Sequence, residues 1–209
     1  MINSLLITRP NHDLTTNYLF YWSSLVIKEA TKKNISIFDL SEKKANKKLF
    51  FSYLKKNNIP LVFLNGHGAE DKITGFDNKV LIKLGKDEAI LKGKVIYARS
   101  CKAAKKLGVS CVKKGSMAFI GYRDNFIFAF SPSKITKPLK DDLAKLFLEP
   151  SNLVVVALLK GNSPADAYKR SQKAMHKNLQ SMLSSEATVK QRDAAAYLWR
   201  NIKSQVIIE

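Results

Sequence analysis

Apolar positions along this chain switch repeatedly between two periods. Short runs rich in β-branched residues stand at residues 4–8 (SLLIT), 35–40 (ISIFDL), 60–64 (PLVFL), 94–98 (KVIYA) and 116–121 (SMAFIG). Runs of this length, bounded by polar or turn residues, predict buried strands. Between them the period becomes helical. Leu14, Tyr18, Leu19, Trp22, Leu25, Val26 and Ala30 recur at helical spacing within residues 14–34. Asp13 stands where a side chain caps the first turn. A second helix is expected from Ser41-Glu42 to Asn57-Asn58, carrying Leu49, Phe50, Tyr53 and Leu54. A third is expected over residues 101–114, carrying Ala103, Ala104, Leu107 and Cys111. Strands alternating with helices, joined by right-handed crossovers, give a parallel sheet with helices on both faces.

Residues 70–84 break this alternation. KITGF and KVLIKL flank Asp77-Asn78, a turn signal, so a small hairpin is expected there, and residues 87–91 add a turn or two of helix. Residues 125–131 (NFIFAFS) form a further aromatic stretch, followed by a break over residues 131–138, and the whole segment 125–138 is a candidate mobile loop near the site described below. Helical segments are expected at 139–148, 153–160 and 164–183, the last opened by Ser163-Pro164. A final helix is expected over residues 189–206, with Ala195, Leu198, Trp199, Ile202 and Val206 on one side. At 209 residues one domain is expected, with no internal repeat.

The chemistry gathers where two strands end. The third strand stops at Asn65-Gly66-His67-Gly68 and the fourth at Arg99-Ser100-Cys101. In an open parallel sheet, sites form at the carboxyl ends of strands. Neighbouring strands would set His67 and Cys101 side by side, the arrangement for a thiolate nucleophile with a general base. If Cys101 opens a helix, the helix dipole lowers its pKa further. Cys111 falls mid-helix and is expected in the core.

A strand ending in His-Gly, followed by a strand ending in a small residue and Cys, resembles the caspase/gingipain/CHAT (clan CD) superfamily of cysteine peptidases. GSMAFIGY (residues 115–122) is similar to the strand after the cysteine helix in the gingipain and CHAT branches, and LKGNSPADAYKRSQKAM (residues 159–175) to their late helix. The resemblance spans roughly residues 59–180. It implies a three-layer α/β/α caspase-hemoglobinase-like fold with a mainly parallel central sheet. It also implies a Cys101–His67 dyad with no obligatory third member, and an oxyanion hole from the amides of Gly68 and Cys101. The side chain two positions before the nucleophile, here Arg99, would line the pocket for the residue preceding the cut. Arg9 and Arg123 fall in other rim loops, and guanidinium groups recognise carboxylates. A basic pocket accepting Asp or Glu is one expectation. Asp124 lining a pocket for Lys or Arg is its opposite, and pairing of the arginines with Asp13, Asp71 or Asp124 is the structural alternative.

His12 and His176 attract no chemistry. The three histidines and two cysteines lack metal-ligand spacing, so no metal or other cofactor is expected. No phosphate-binding glycine loop and no serine nucleophile elbow occurs.

Composition adds bounds. Thirty-six Lys and Arg stand against 17 Asp and Glu, a net charge of +19. That excess permits attraction to nucleic acid, although the lysines are spread along the chain as a solvating surface would have them. No apolar run is long enough for a membrane span. The first residues lack the basic start and apolar run of a signal peptide, so a cytoplasmic location is expected. Two cysteines make no disulfide framework.

The expectation is therefore a cysteine endopeptidase acting on protein or peptide substrates, switched on by a protein partner or other signal. A catalytically silent caspase-like interaction module and a basic nucleic-acid-binding α/β domain are the rivals.

Overall fold

The computed structural model describes residues 2–209. Its main sheet has six strands. β1 (Ser4–Arg9), β2 (Ser36–Ser41), β3 (Leu61–Asn65), β7 (Val95–Arg99) and β8 (Ala118–Tyr122) run parallel in the order β2-β1-β3-β7-β8. β9 (Gln205–Ile208) adds to β8 antiparallel. A second, three-stranded antiparallel sheet of β4 (Gly68–Ala69), β5 (Lys72–Thr74) and β6 (Val80–Lys83) interrupts the series between β3 and β7.

Alternation along each strand divides the core into two layers. Leu5, Ile7, Phe63, Tyr97 and Ile120 pack with Val26 and Ala30 of α1 (Leu14–Thr31) and with Val154, Val155 and Leu158 of α4 (Asp142–Leu159). Leu6, Val62, Leu64, Ile96 and Phe119 face the other way. They pack with Phe50 and Leu54 of α2 (Lys47–Lys56) and with Leu107 and Cys111 of α3 (Leu107–Lys113). A third cluster joins α1 and α4 to α5 (Pro164–Met182) and α6 (Val189–Ser204) through Tyr18, Trp22, Phe147, Met175 and Leu198. The result is the α/β three-layer arrangement expected, with helices on both faces of a mainly parallel sheet.

Four elements differ from expectation, each for a local reason. α2 starts at Lys47 and not at Ser41: residues 42–44 form a short 3-10 turn, and the Asn46 side chain caps the helix by accepting from the Leu49 amide at 3.0 Å. The helix expected from Cys101 begins only at Leu107. Lys102 takes a left-handed φ of 57°, which a right-handed helix cannot pass through, while its amide donates to Asp124 O and that of Ala104 to Tyr122 O. Residues 139–160, expected as two helices, contain the single helix α4, which runs through Pro150. Proline at that position removes the amide that would bond Leu146 O. Asn178 of α5 supplies the missing donor, Nδ2 to Leu146 O at 2.8 Å. Finally, the last helix stops at Ser204, and the β-branched run beyond it is β9. Trp199, expected inward, is 47% exposed, while Ala194, Ala195, Leu198 and Ile202 are buried.

Candidate active site

β3 and β7 are direct neighbours, with Asn65 opposite Arg99 at their carboxyl ends. His67 and Cys101 each stand two residues further on, in loops that touch. Ser100 Oγ donates to Gly66 O at 2.9 Å. Gly68 lies so close to the opposite loop that a Cβ there would stand 2.8 Å from Cys101 O and 2.9 Å from the Ser100 Cβ. Gly66 is likewise required: its φ is +146°, and a Cβ would meet Thr74 O at 2.3 Å. The His67 carbonyl accepts both the Thr74 amide (2.9 Å) and the Thr74 hydroxyl (3.1 Å), so β5 fixes the histidine's backbone.

The imidazole has a partner that the sequence did not single out. His67 Nε2 lies 2.7 Å from Asp13 Oδ2. Asp13 ends the loop after β1 and caps α1 as expected, its other oxygen, Oδ1, accepting from the Thr16 amide at 2.7 Å. Burial works to raise the Asp13 pKa. The Thr16 amide, the His67 hydrogen bond and the Thr16 hydroxyl outweigh it and hold the carboxyl below its ordinary value. An ionised Asp13 keeps the proton of a neutral imidazole on Nε2 and leaves Nδ1 as the basic nitrogen. The signal for Asp13 was its place at the carboxyl end of β1. That β1 lies beside β3 was needed to read it.

Cys101 is half-buried, its Sγ 3.8 Å from Phe126 O. Burial pushes its thiol up, against the Phe126 backbone and the Lys102 charge and with the Asp124 charge acting in the same direction. The expected helix-dipole assistance is absent, because α3 starts six residues later. Cys111 is buried in the core as expected, its thiol pushed up to about 12 by burial and then by Glu88.

The arginines do not form the expected pocket. Arg99 is fully buried and turned toward α1 and α4. Its Nε donates to Asn65 Oδ1 (2.9 Å), its Nη1 to Ser151 Oγ and Asn152 Oδ1 (2.9 Å each), and its Nη2 to Leu19 O (3.3 Å). Phe63 stacks on the guanidinium at 5.1 Å. Arg9 is also buried, paired with Asp39 and lying over the Phe20 ring. Arg123 is the one exposed member of the three. Asp124 beside it is bound by Arg200 at 3.2 Å. Both line a shallow cleft of about 280 Å³ with Trp199 and Lys203.

The segment after Asp124 runs past Cys101, as expected, but it is anchored. Ile127 exchanges hydrogen bonds with the Asn201 side chain, and Ser131 N donates to Asp141 Oδ2 at 2.8 Å. Phe126, Phe128 and Phe130 pack against the helical cluster. The histidines, expected to be scattered, are not all so: donor atoms of His12, Asp13 and His67 lie within 4.8 Å of one another. Among the described residues, no helix is long and apolar enough to cross a membrane.

No family model matches the chain, and no curated protein matches it. Solved structures do. The crystal structure of the Arg-specific cysteine proteinase gingipain R (RGPB) aligns over 98% of this chain with a TM-score of 0.59 and 10% identity. A complex of Porphyromonas gingivalis RgpB pro- and mature domains aligns over 98% with a TM-score of 0.60, also at 10% identity. The chain spans 45% and 46% of those two chains. This protein therefore has the caspase-like α/β fold found in the cysteine proteinase gingipain R.

Proposed function

We propose that this chain is a cysteine endopeptidase acting through Cys101 and His67, with Asp13 orienting the histidine. One observation carries the assignment. Two strand-end loops in direct contact hold a thiol and an imidazole, and the imidazole already has a carboxylate at 2.7 Å. His67 Nδ1 takes the Cys101 proton as sulfur attacks the peptide carbonyl carbon. The Gly68 and Cys101 amides hold the resulting oxyanion. His67 then protonates the leaving amine, and water hydrolyses the thioester with His67 again as base. Asp13 stabilises the imidazolium formed in each half.

The raised Cys101 pKa makes the resting group a thiol, so the base does more here than in a preformed ion pair. It also supports a gate: a partner or substrate that relieves the burial of Sγ would free the nucleophile. With Arg9 and Arg99 turned inward, the acidic preference loses two of its three residues, and Arg123 and Asp124 remain with opposite signs.

Labelling with acyloxymethyl ketone peptides ending in Asp or in Arg tests this. Wild type is compared with Cys101→Ala and His67→Ala. An adduct on Cys101 that depends on His67 is expected, and the preferred probe reports the pocket. Absence of adduct with both probes, including in the presence of candidate activators, would favour the second reading, a silent interaction module. The burial of the Cys101 thiol is the observation that speaks for it.

A further inference from the structure

Three donors converge just before α1. Asp13 Oδ2 is 2.7 Å from His67 Nε2 and 3.5 Å from His12 Nε2. The His12 and His67 rings meet edge to face at 6.2 Å. His12 is the member with no other task. Its side chain is only 9% exposed, and neither ring nitrogen has a hydrogen-bond partner among the described residues. Buried polar atoms nearly always find partners, so two bare nitrogens on one ring require an explanation. The ring is held firmly: the His12 amide donates to Thr16 Oγ1 at 3.0 Å, and Phe76 packs on the ring at 5.4 Å.

We propose that His12, Asp13 and His67 form a binding site for a zinc-class divalent cation. Two imidazoles and one carboxylate suit a borderline-soft ion and not calcium or magnesium, which prefer all-oxygen shells. Ligand atoms placed tetrahedrally about zinc stand roughly 3.3 Å apart, and the two measured separations from Asp13 Oδ2 bracket that value. The ion takes the place of the His67 Nε2 proton, which moves to Nδ1 and leaves that nitrogen no longer basic, and it gives the buried His12 nitrogen its partner. Three protein ligands leave one position open, and a cleft of about 570 Å³ lined by Asn11, His12, Asp13 and Asn17 supplies the route in. His67 cannot be ligand and general base at once, so the ion holds the site off. That consequence rests on the peptidase reading; the binding itself does not.

The test is a titration of the full chain with Zn²⁺ against a chromophoric chelator, repeated with Co²⁺ for its visible spectrum. Wild type and Cys101→Ala are expected to bind one equivalent, with four-coordinate cobalt bands and no thiolate charge transfer. His12→Gln and His67→Gln, each checked for wild-type circular dichroism, are expected to bind at least about tenfold more weakly, since removing even an outer-shell partner costs that much. Wild-type affinity in either glutamine variant, or loss of binding in Cys101→Ala, would overturn the site. For the inhibitory consequence, metal-free His12→Gln is expected to label at Cys101 at the wild-type rate, with zinc slowing wild type alone. If no variant labels at all, the peptidase reading falls while the titration still decides the metal site.

Discussion

Asp13 divides its carboxylate between two elements, one oxygen on the Thr16 amide at the start of α1 and the other on His67 Nε2. A helix cap thereby becomes the anchor of an imidazole at the end of the neighbouring strand. This division makes the two roles separable by mutation. Asparagine caps a helix as well as aspartate does, but it carries no charge. Asp13→Asn should leave the melting temperature nearly unchanged and slow Cys101 labelling by about 10²- to 10⁴-fold, the range of general acid–base catalysis. A large loss of stability with unchanged labelling would reverse the assignment of roles.

Cys101 should react as a buried thiol. Burial disfavours the thiolate, so its folded pKa lies above the ordinary value, and the reactive fraction at neutral pH is small. In His67→Ala, alkylation of Cys101 by iodoacetamide, followed by peptide mapping, should rise with pH through a midpoint above the ordinary thiol range. A midpoint below about 8 would mean that the thiolate is stabilised by groups other than His67.

Glu88 predicts the acid limb of stability. Its side chain is buried, accepting from the Gly85 amide and the Ser110 hydroxyl at 2.7 Å each and ion-paired with Lys114 at 3.2 Å. Burial works to raise its pKa, but these partners hold it down at about 2. A depressed carboxyl stabilises the fold above its unfolded pKa and loses that contribution as pH falls through the folded value. Stability should therefore decline between about pH 4.5 and 2, and Glu88→Gln should flatten that part of a urea-denaturation profile.

Arg99 is a brace between strands β3 and β7 and helices α1 and α4, so its loss should be structural. Arg99→Met leaves the Asn65, Ser151 and Asn152 oxygens without their buried donor. A cost of about 3 kcal/mol corresponds to a fall of roughly 6–12 °C in melting temperature for a chain of this size. The preference between Asp- and Arg-ended probes should not change. A switch of preference would return Arg99 to the substrate pocket.

Where single elements decided the outcome, the sequence was legible. The five parallel strands carry their apolar runs openly, and the glycines around His67 announce a tight loop. What stayed hidden depends on partners distant in sequence. Pro150 reads as a helix break until Asn178 is known to take over the Leu146 carbonyl. The residues after Cys101 read as helix until Lys102, held left-handed with its amide on Asp124 O, is seen to break it. Arg99 reads as a pocket residue from its place two positions before Cys101, until its guanidinium is seen to turn toward α1 and α4. The site shows the same division. His67 and Cys101 were visible from strand ends, whereas Asp13 and His12 required the order of strands in the sheet.

The antiparallel β9 has a consequence for how the molecule comes together. Strand β8 finds its outer neighbour some eighty residues later in the chain, across α4, α5 and α6. Until that closure, Phe119 and Ile120 sit on an open edge whose unpaired amides invite pairing with another chain. The pairing is also highly non-local, and such contacts form late. During synthesis the half-built sheet is thus at risk of aggregation until its last strand arrives. Deleting residues 205–208 would be punished in solubility before it was felt at Cys101.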